Sequence, residues 1–371
     1  MHQNREEPCM KVKQYKKIVI VLILICAAIL LEGVERGLGR QLSTQQAAEE
    51  WSDKDHYAQV TCFFTEDAAM TKEMIAPVEY QLRNALQEAS EDTSDANGRT
   101  LVDCYSSETS LTLYSDRSSM TTRAFAVGGD FFTFHPLKLL SGNYFDGEDL
   151  NDDGVILDES VAWQLFGSNN VAGMYVQING VQYPVRGVVE SDSGYFSKAS
   201  DEEAATVYVS YGVVERNTGE EMSDNSLPID SYEILIKNPV QKFGYNALKN
   251  AIGLDEKQYE IVENSTRFGL ANRLDILKNF GVRSMSTKKI IYPYWENRAK
   301  GYEDLTALLL VFEVLCLVYP VIYLFGRLHF FWKHKKEYRE KTADFIRIFV
   351  KQFPVWLKKA RMKQPAKEKS V

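Results

Sequence analysis

Leu305-Thr-Ala-Leu-Leu-Leu-Val-Phe-Glu-Val-Leu-Cys-Leu-Val-Tyr-Pro-Val-Ile-Tyr-Leu-Phe325 is a run of 21 residues broken by a single charge, Glu313. As a helix it is long enough to cross a hydrocarbon core of about 30 Å. Tyr292, Tyr294, Trp295 and Tyr302 precede it, and Phe330, Phe331 and Trp332 follow it. Such aromatic belts sit at the two membrane–water interfaces. Arg327, Lys333, Lys335 and Lys336 come next and mark the cytoplasmic side. A second apolar run, Ile18–Leu31, lies near the other end and is 14 residues long, extending to 17 with Glu32, Gly33 and Val34. The shorter length also suits a signal-peptide core. Lys16 and Lys17 can snorkel to the headgroups and extend its reach. The small-x-small candidate Gly37-Leu38-Gly39 sits behind Glu32, Glu35 and Arg36, which favours an uncleaved anchor over a signal peptide.

The charge sorts around these two segments. Residues 1–17 carry a net +3, residues 327–371 carry +10 and the whole chain is −8, which leaves −21 for residues 18–326. Basic flanks stay inside. The expected arrangement is a plasma-membrane protein with spans at 18–34 and 305–326, both termini cytoplasmic, and a large acidic domain outside. A net −21 outside excludes nucleic acid and an anionic outer surface as partners.

About 270 residues lie between the spans, enough for one large domain or two small ones. Strand-like and helix-like runs alternate through them, an α+β pattern. Tyr57–Phe64 reads as a strand, and Met74, Ile75, Val78, Leu82, Ala85 and Leu86 place a one-sided helix within 70–89. Further strands are expected at 101–105, 111–114, 155–157, 175–178, 181–189 and 207–211, with Asn179-Gly180 as a hairpin turn. A strand at 232–237, a helix at 240–252 and a strand at 259–264 repeat the opening β-α-β pattern. The first and last thirds are therefore expected to pack together, with 125–230 inserted between them.

The middle of the chain then carries a resemblance. Phe131-Phe132, Leu140-Ser-Gly-Asn-Tyr-Phe145, Asp149–Gly154, Val155-Ile-Leu157, Ala162-Trp-Gln-Leu-Phe-Gly167, Gly173-Met-Tyr-Val-Gln-Ile178 and Tyr183-Pro-Val-Arg-Gly-Val-Val189 follow one another. In order and spacing they resemble the extracytoplasmic core of MacB-like and FtsX-like ABC transporter permeases. The resemblance implies a bipartite porter-like α/β module (57–124 and 231–282) with an inserted β-rich subdomain (125–230). It implies stalks at 35–56 and 283–304, and a basic cytoplasmic tail at 327–371. Family permeases continue into third and fourth membrane helices, whereas this sequence stops after the tail. No phosphate-cradling G-x-x-x-x-G-K-[ST] loop is present. The resemblance therefore implies a non-catalytic permease-like subunit that works by mechanotransmission. Its partners would be an ABC ATPase subunit and another permease subunit in a homo- or hetero-oligomer. A stand-alone, membrane-anchored binding or adaptor protein is the alternative.

Few residues suggest site chemistry, and no cofactor or catalytic cluster is expected. Asp149, Asn151 and Asp153 with Gly154 match the first positions of a calcium loop, but Ser160 occupies the twelfth, where a bidentate Glu belongs. A solvated acidic turn fits them better. Glu313 lies mid-span, where a carboxyl group is costly and faces protein or water. A contact with a partner helix or a membrane relay is expected there. Cys62 and Cys104 are the two cysteines placed outside; a disulfide between them and a pair of buried thiols both fit the spacing. Phe345, Ile346, Phe349, Phe353 and Trp356, flanked by Lys358 and Lys359, form a basic amphipathic tail. It suits the lipids of the inner leaflet, or an ATPase surface. His56 and His135 read as isolated residues, and Asn264-Ser-Thr266 matches a glycosylation sequon.

Overall fold

The computed structural model describes residues 6–52, 56–89, 101–147, 149–191, 205–217, 227–280 and 289–335, with Arg339 and Ile346 beyond them. Elements are numbered in chain order. The helices are α1 (Glu6–Gly39), α2 (Ala47–Trp51), α3 (Ile75–Glu88), α4 (Phe131–Phe134), α5 (Glu159–Phe166), α6 (Tyr211–Asn217), α7 (Phe243–Ile252), α8 (Leu270–Asn279) and α9 (Tyr294–Lys333). The strands are β1 (Tyr57–Phe64), β2 (Leu101–Tyr114), β3 (Ser119–Gly129), β4 (Leu139–Gly142), β5 (Val155–Asp158), β6 (Tyr175–Ile178), β7 (Val181–Val189), β8 (Thr206–Ser210), β9 (Ser231–Lys237) and β10 (Tyr259–Glu263).

Two units divide the chain. One comprises residues 1–33 and 310–371, the other 34–309. The first holds most of α1 and the C-terminal part of α9. Two helices, Tyr15–Gly39 and Tyr294–Lys333, are long and apolar enough to cross a membrane. Within the first unit Ile23, Leu30, Phe312, Leu315, Ile322 and Phe325 are exposed, as lipid-facing side chains are. Pro320 lies inside α9 without ending it.

The second unit is built on one ten-stranded sheet in the order β10-β1-β9-β2-β3-β8-β5-β7-β4, with β6 joining β2 and β7. The pairs β3–β8 and β5–β7 are parallel and the others antiparallel. β1 lies between β9 and β10, so the first and last thirds meet as expected. The middle of the chain does not form a sheet of its own. β3 pairs with β2 over eleven positions and then with β8, and the 124/125 boundary falls inside β3. The expected strands at 101–105 and 111–114 are one strand, because Ser106 and Ser107 are held at the sheet by Ser231 and by the Pro228 carbonyl. Asn179 and Gly180 both have positive φ, 47° and 86°, as a tight hairpin requires.

Every residue of β1 is buried, so both faces of the sheet are covered. On one face Ala58, Val60, Cys62 and Phe64 pack with Ile75, Val78 and Leu82 of α3 and Leu248 of α7. On the other, Tyr57, Val102, Cys104, Phe125 and Leu235 pack with α4 and with Trp295 at the start of α9. Gly129 closes β3 at φ +66°, where an added Cβ would lie 2.4 Å from the Asp103 carbonyl oxygen. Only glycine fits that turn into α4.

This alternation corrects the disulfide expectation. Cys62 and Cys104 are free thiols on opposite faces, and β9 separates their strands. Their Cβ vectors point apart, so no bridge can form without moving the sheet. After denaturation both thiols should react with a thiol probe without prior reduction, which mass spectrometry of alkylated peptides would reveal.

Asp103, at the sheet face beneath α3, has its carboxyl pushed up to about 7, chiefly by burial and then by neighbouring Glu79, against the Tyr232 hydroxyl that donates to it at 2.7 Å. Folded chain therefore binds more protons than unfolded chain between the ordinary value of 3.8 and about 7. Stability contributed by this site is lost as pH rises through that window. Asp103→Asn is expected to flatten the fall in unfolding temperature between about pH 4 and 7, read by thermal unfolding in detergent; an unchanged slope would refute this.

Candidate functional site at the root of the last helix

The face carrying Trp295 also carries polar residues that the period of a strand forces inward. Thr61 of β1, Glu233 of β9 and Cys104 of β2 stand in one row, paired in register across three strands. Buried polar groups need partners, and these are found. Glu233 accepts hydrogen bonds from the Thr61 hydroxyl at 3.0 Å and the Gln59 amide at 3.5 Å, and His135 Nε2 lies 2.6 Å from its other oxygen. Asn264 donates to the Thr61 hydroxyl at 2.8 Å, and the Gln59 backbone N–H donates to Ser265 Oγ at 2.7 Å. The turn Asn264–Thr266 is thus tied to the sheet. Asn264 is buried, which closes the sequon to a glycan in the folded chain.

Arg267 follows that turn and points at α9. Its guanidinium donates to both oxygens of Glu296 at 2.7 and 2.5 Å, to Glu303 at 2.7 Å and to Gln45 at 3.2 Å. Glu296 and Glu303 are seven residues apart, so one helix face presents both. The side chains of Arg267 and Glu296 are 1% exposed and that of Glu303 6%. Burial alone would pull the guanidinium's pKa down; the two carboxylates override it and hold the group above its ordinary value. Leu42, Ala299 and Tyr302, with Leu38 and Phe268, form a small apolar cluster on the same stretch of α9. Beside it Arg273 of α8 pairs with Glu35 of α1, and Lys300 stands over the Tyr292 ring at 3.2 Å. Bidentate guanidinium–carboxylate pairing is directional as well as strong, so this arrangement clamps the first turns of α9 to the sheet unit.

The residues singled out in the sequence fall elsewhere. Asp149 and Asp153 both accept from Arg186 Nη2 at 3.1 Å, and the Asn151 N–H donates to Asp149 at 3.3 Å. The acidic turn is an Arg-neutralised loop rather than a set of ligands facing one point. Glu313 is half-buried, and its carboxylate lies within 4.8 Å of that of Glu32 in the same chain. Ile346 is helical and exposed. Phe345, Phe349, Phe353, Trp356, Lys358 and Lys359 lie outside the described residues. Sequence reasoning missed Glu233, Arg267, Glu296 and Glu303 and read His135 as isolated. The seven-residue spacing of Glu296 and Glu303 ahead of an apolar span was the one available signal.

These elements define a sheet domain that lies, in sequence, between two candidate membrane spans and holds the first turns of α9. The chain belongs to the family of the MacB-like periplasmic core domain, which matches residues 21–241. It is a MacB-like ABC transporter periplasmic domain with candidate spans at both ends. Among solved structures it is similar to the periplasmic region of MacB from Actinobacillus actinomycetemcomitans, at 18% identity and a TM-score of 0.39, covering 61% of this chain and 94% of that one. It is also similar to the extracellular domain of the noncanonic ABC-type transporter YknZ from Gram-positive bacteria, at 15% identity and 0.36, covering 55% and 100%. A domain of a putative permease protein from Porphyromonas gingivalis matches at 14% identity and 0.31, covering 56% and 90%. No curated protein matches this chain.

Removing one member of a buried ion cluster leaves the others uncompensated, at a cost of about 3–5 kcal/mol. Arg267→Gln is expected to lose that much in chemical unfolding of the detergent-solubilised chain. Arg186→Gln, whose side chain is 37% exposed, should lose about 1 kcal/mol or less. Equal losses would show that the clamp is not desolvated.

Proposed function

We propose that the chain is a non-catalytic, permease-like subunit of a MacB/FtsX-type ABC transporter, one that carries conformational change between its membrane helices and its extracytoplasmic domain. The observation behind this reading is α9, a single 40-residue helix that bears the Arg267 clamp near its first turns and the apolar span further along. At 1.5 Å per residue it is about 60 Å long. A movement of the span therefore has a stiff element through which to reach the clamp. ATP hydrolysis falls to a partner ATPase, and further membrane helices to another permease subunit or a second copy. Both termini are cytoplasmic in this reading, and the basic tail from 327 lies on the inner leaflet or against the ATPase.

Two measurements test it. Full-length tagged protein extracted in mild detergent from native membranes should bring down an ABC ATPase and a multi-span permease, identified by mass spectrometry. Recovery of envelope proteins alone would favour an adaptor instead. Tags at the two ends should both resist protease added to intact cells, while the 34–309 unit is cut; cleavage of either tag would overturn the orientation.

A further inference from the structure

Cys104, His135 and Glu233 converge on the polar row, and one donor atom of each lies within 4.8 Å of the other two. Their exposures are 1%, 3% and 2%. Register sets two of them, since Cys104 stands directly opposite Glu233. Aromatic packing sets the third: His135 stacks on Phe131 at 4.3 Å between ring centres and tilts against Trp295 at 4.6 Å.

A buried carboxylate needs a balancing charge. The other groups that Glu233 contacts, the Thr61 hydroxyl and the Gln59 amide, are neutral. A divalent ion with one thiolate and one carboxylate makes a neutral centre, which the core tolerates. A sulfur, a nitrogen and an oxygen together suit zinc.

We propose that Cys104, His135 and Glu233 bind one zinc ion between β2, β9 and the segment after α4. The exchange balances without any redox change. Zinc bonds to the sulfur, and the thiol proton leaves to solvent. Zinc bonds to Nε2, and the imidazole proton shifts to Nδ1. The carboxylate oxygen that faced Nε2 turns to the metal, and a water takes the fourth position. Donor atoms on one tetrahedral zinc sit roughly 3.5 Å apart, so Nε2 and the carboxylate oxygen, 2.6 Å apart here, separate on binding. A cysteine–histidine nucleophile is the rival use of these groups, and their burial bars any polypeptide substrate from them.

The test uses the full-length chain, expressed with zinc, extracted in detergent and washed with a weak chelator to strip surface-bound metal. Elemental analysis should find about one zinc per chain in wild type and Cys62→Ser, falling roughly tenfold in Cys104→Ser and in Glu233→Gln. Cobalt supplied in place of zinc during expression should give a thiolate-to-cobalt charge-transfer band that Cys104→Ser abolishes. Cys62→Ser controls for the folding cost of a buried serine, and the band reports the sulfur ligand directly. Wild type without stoichiometric zinc, or zinc content and cobalt band unchanged in Cys104→Ser, overturns the proposal.

Discussion

The Arg267 guanidinium, its three nitrogens shared between Glu296, Glu303 and Gln45 and sealed from water, fixes where α9 begins. Desolvating three charges is expensive, and an apolar replacement of similar volume is often as stable. Stability alone is therefore a weak reason for such a cluster. Direction is a stronger one. A planar fork donates to carboxylates only in its own plane, and α9 presents its two acids seven residues, just under two turns, apart. A small rotation of α9 about its axis breaks one bond set before the other. Apolar contacts such as Ala299 against Leu42 would allow the helix to slide. The ionic cluster gives it one rotational setting.

From this clamp the polar contacts run into the sheet without interruption. Arg267 follows Asn264–Thr266, Asn264 holds Thr61, and Thr61 holds Glu233, which faces His135. The opposite face of the same strands is largely apolar and packs on α3 and α7. The two faces thus divide the labour: one supplies hydrophobic burial, and the other, with its aromatic rings and polar row, receives the last helix.

Much of this architecture was legible in the sequence, because strands such as Tyr57–Phe64 and Tyr232–Lys237 are dense in aromatic and β-branched residues. The Asn179-Gly180 turn was legible for the same local reason. β3 was not, since its first five residues, Ser119–Arg123, carry four polar side chains; they are held in the sheet by β2 and β8, which no local pattern announces. The continuous sheet was lost with it, and the inserted region read as a β-rich subdomain. The clamp and the polar row were illegible for a related reason. His135 and Glu233 are 98 residues apart and Arg267 and Gln45 are 222 apart, so only the strand register brings their partners into range. Local acidic patterns pointed the other way, toward Asp149–Asp153, where Arg186 already supplies the cation.

That missed continuity bears on how a signal would spread. Trp295, one residue before Glu296, packs against Phe125 of β3 at 5.0 Å and Phe131 of α4 at 5.8 Å. Tyr294 meets the Tyr208 hydroxyl of β8 at 2.7 Å. The first turn of α9 therefore touches the middle region of the chain through its aromatics, while Arg267 ties the same turn to the closing third. In two separate modules these contacts would pull on two independent bodies. In one hydrogen-bonded sheet they act on neighbouring strands, and interiors packed to crystal density transmit displacement rather than absorb it. A shift of the first turn of α9 has to be taken up by the sheet as a whole or resisted by it.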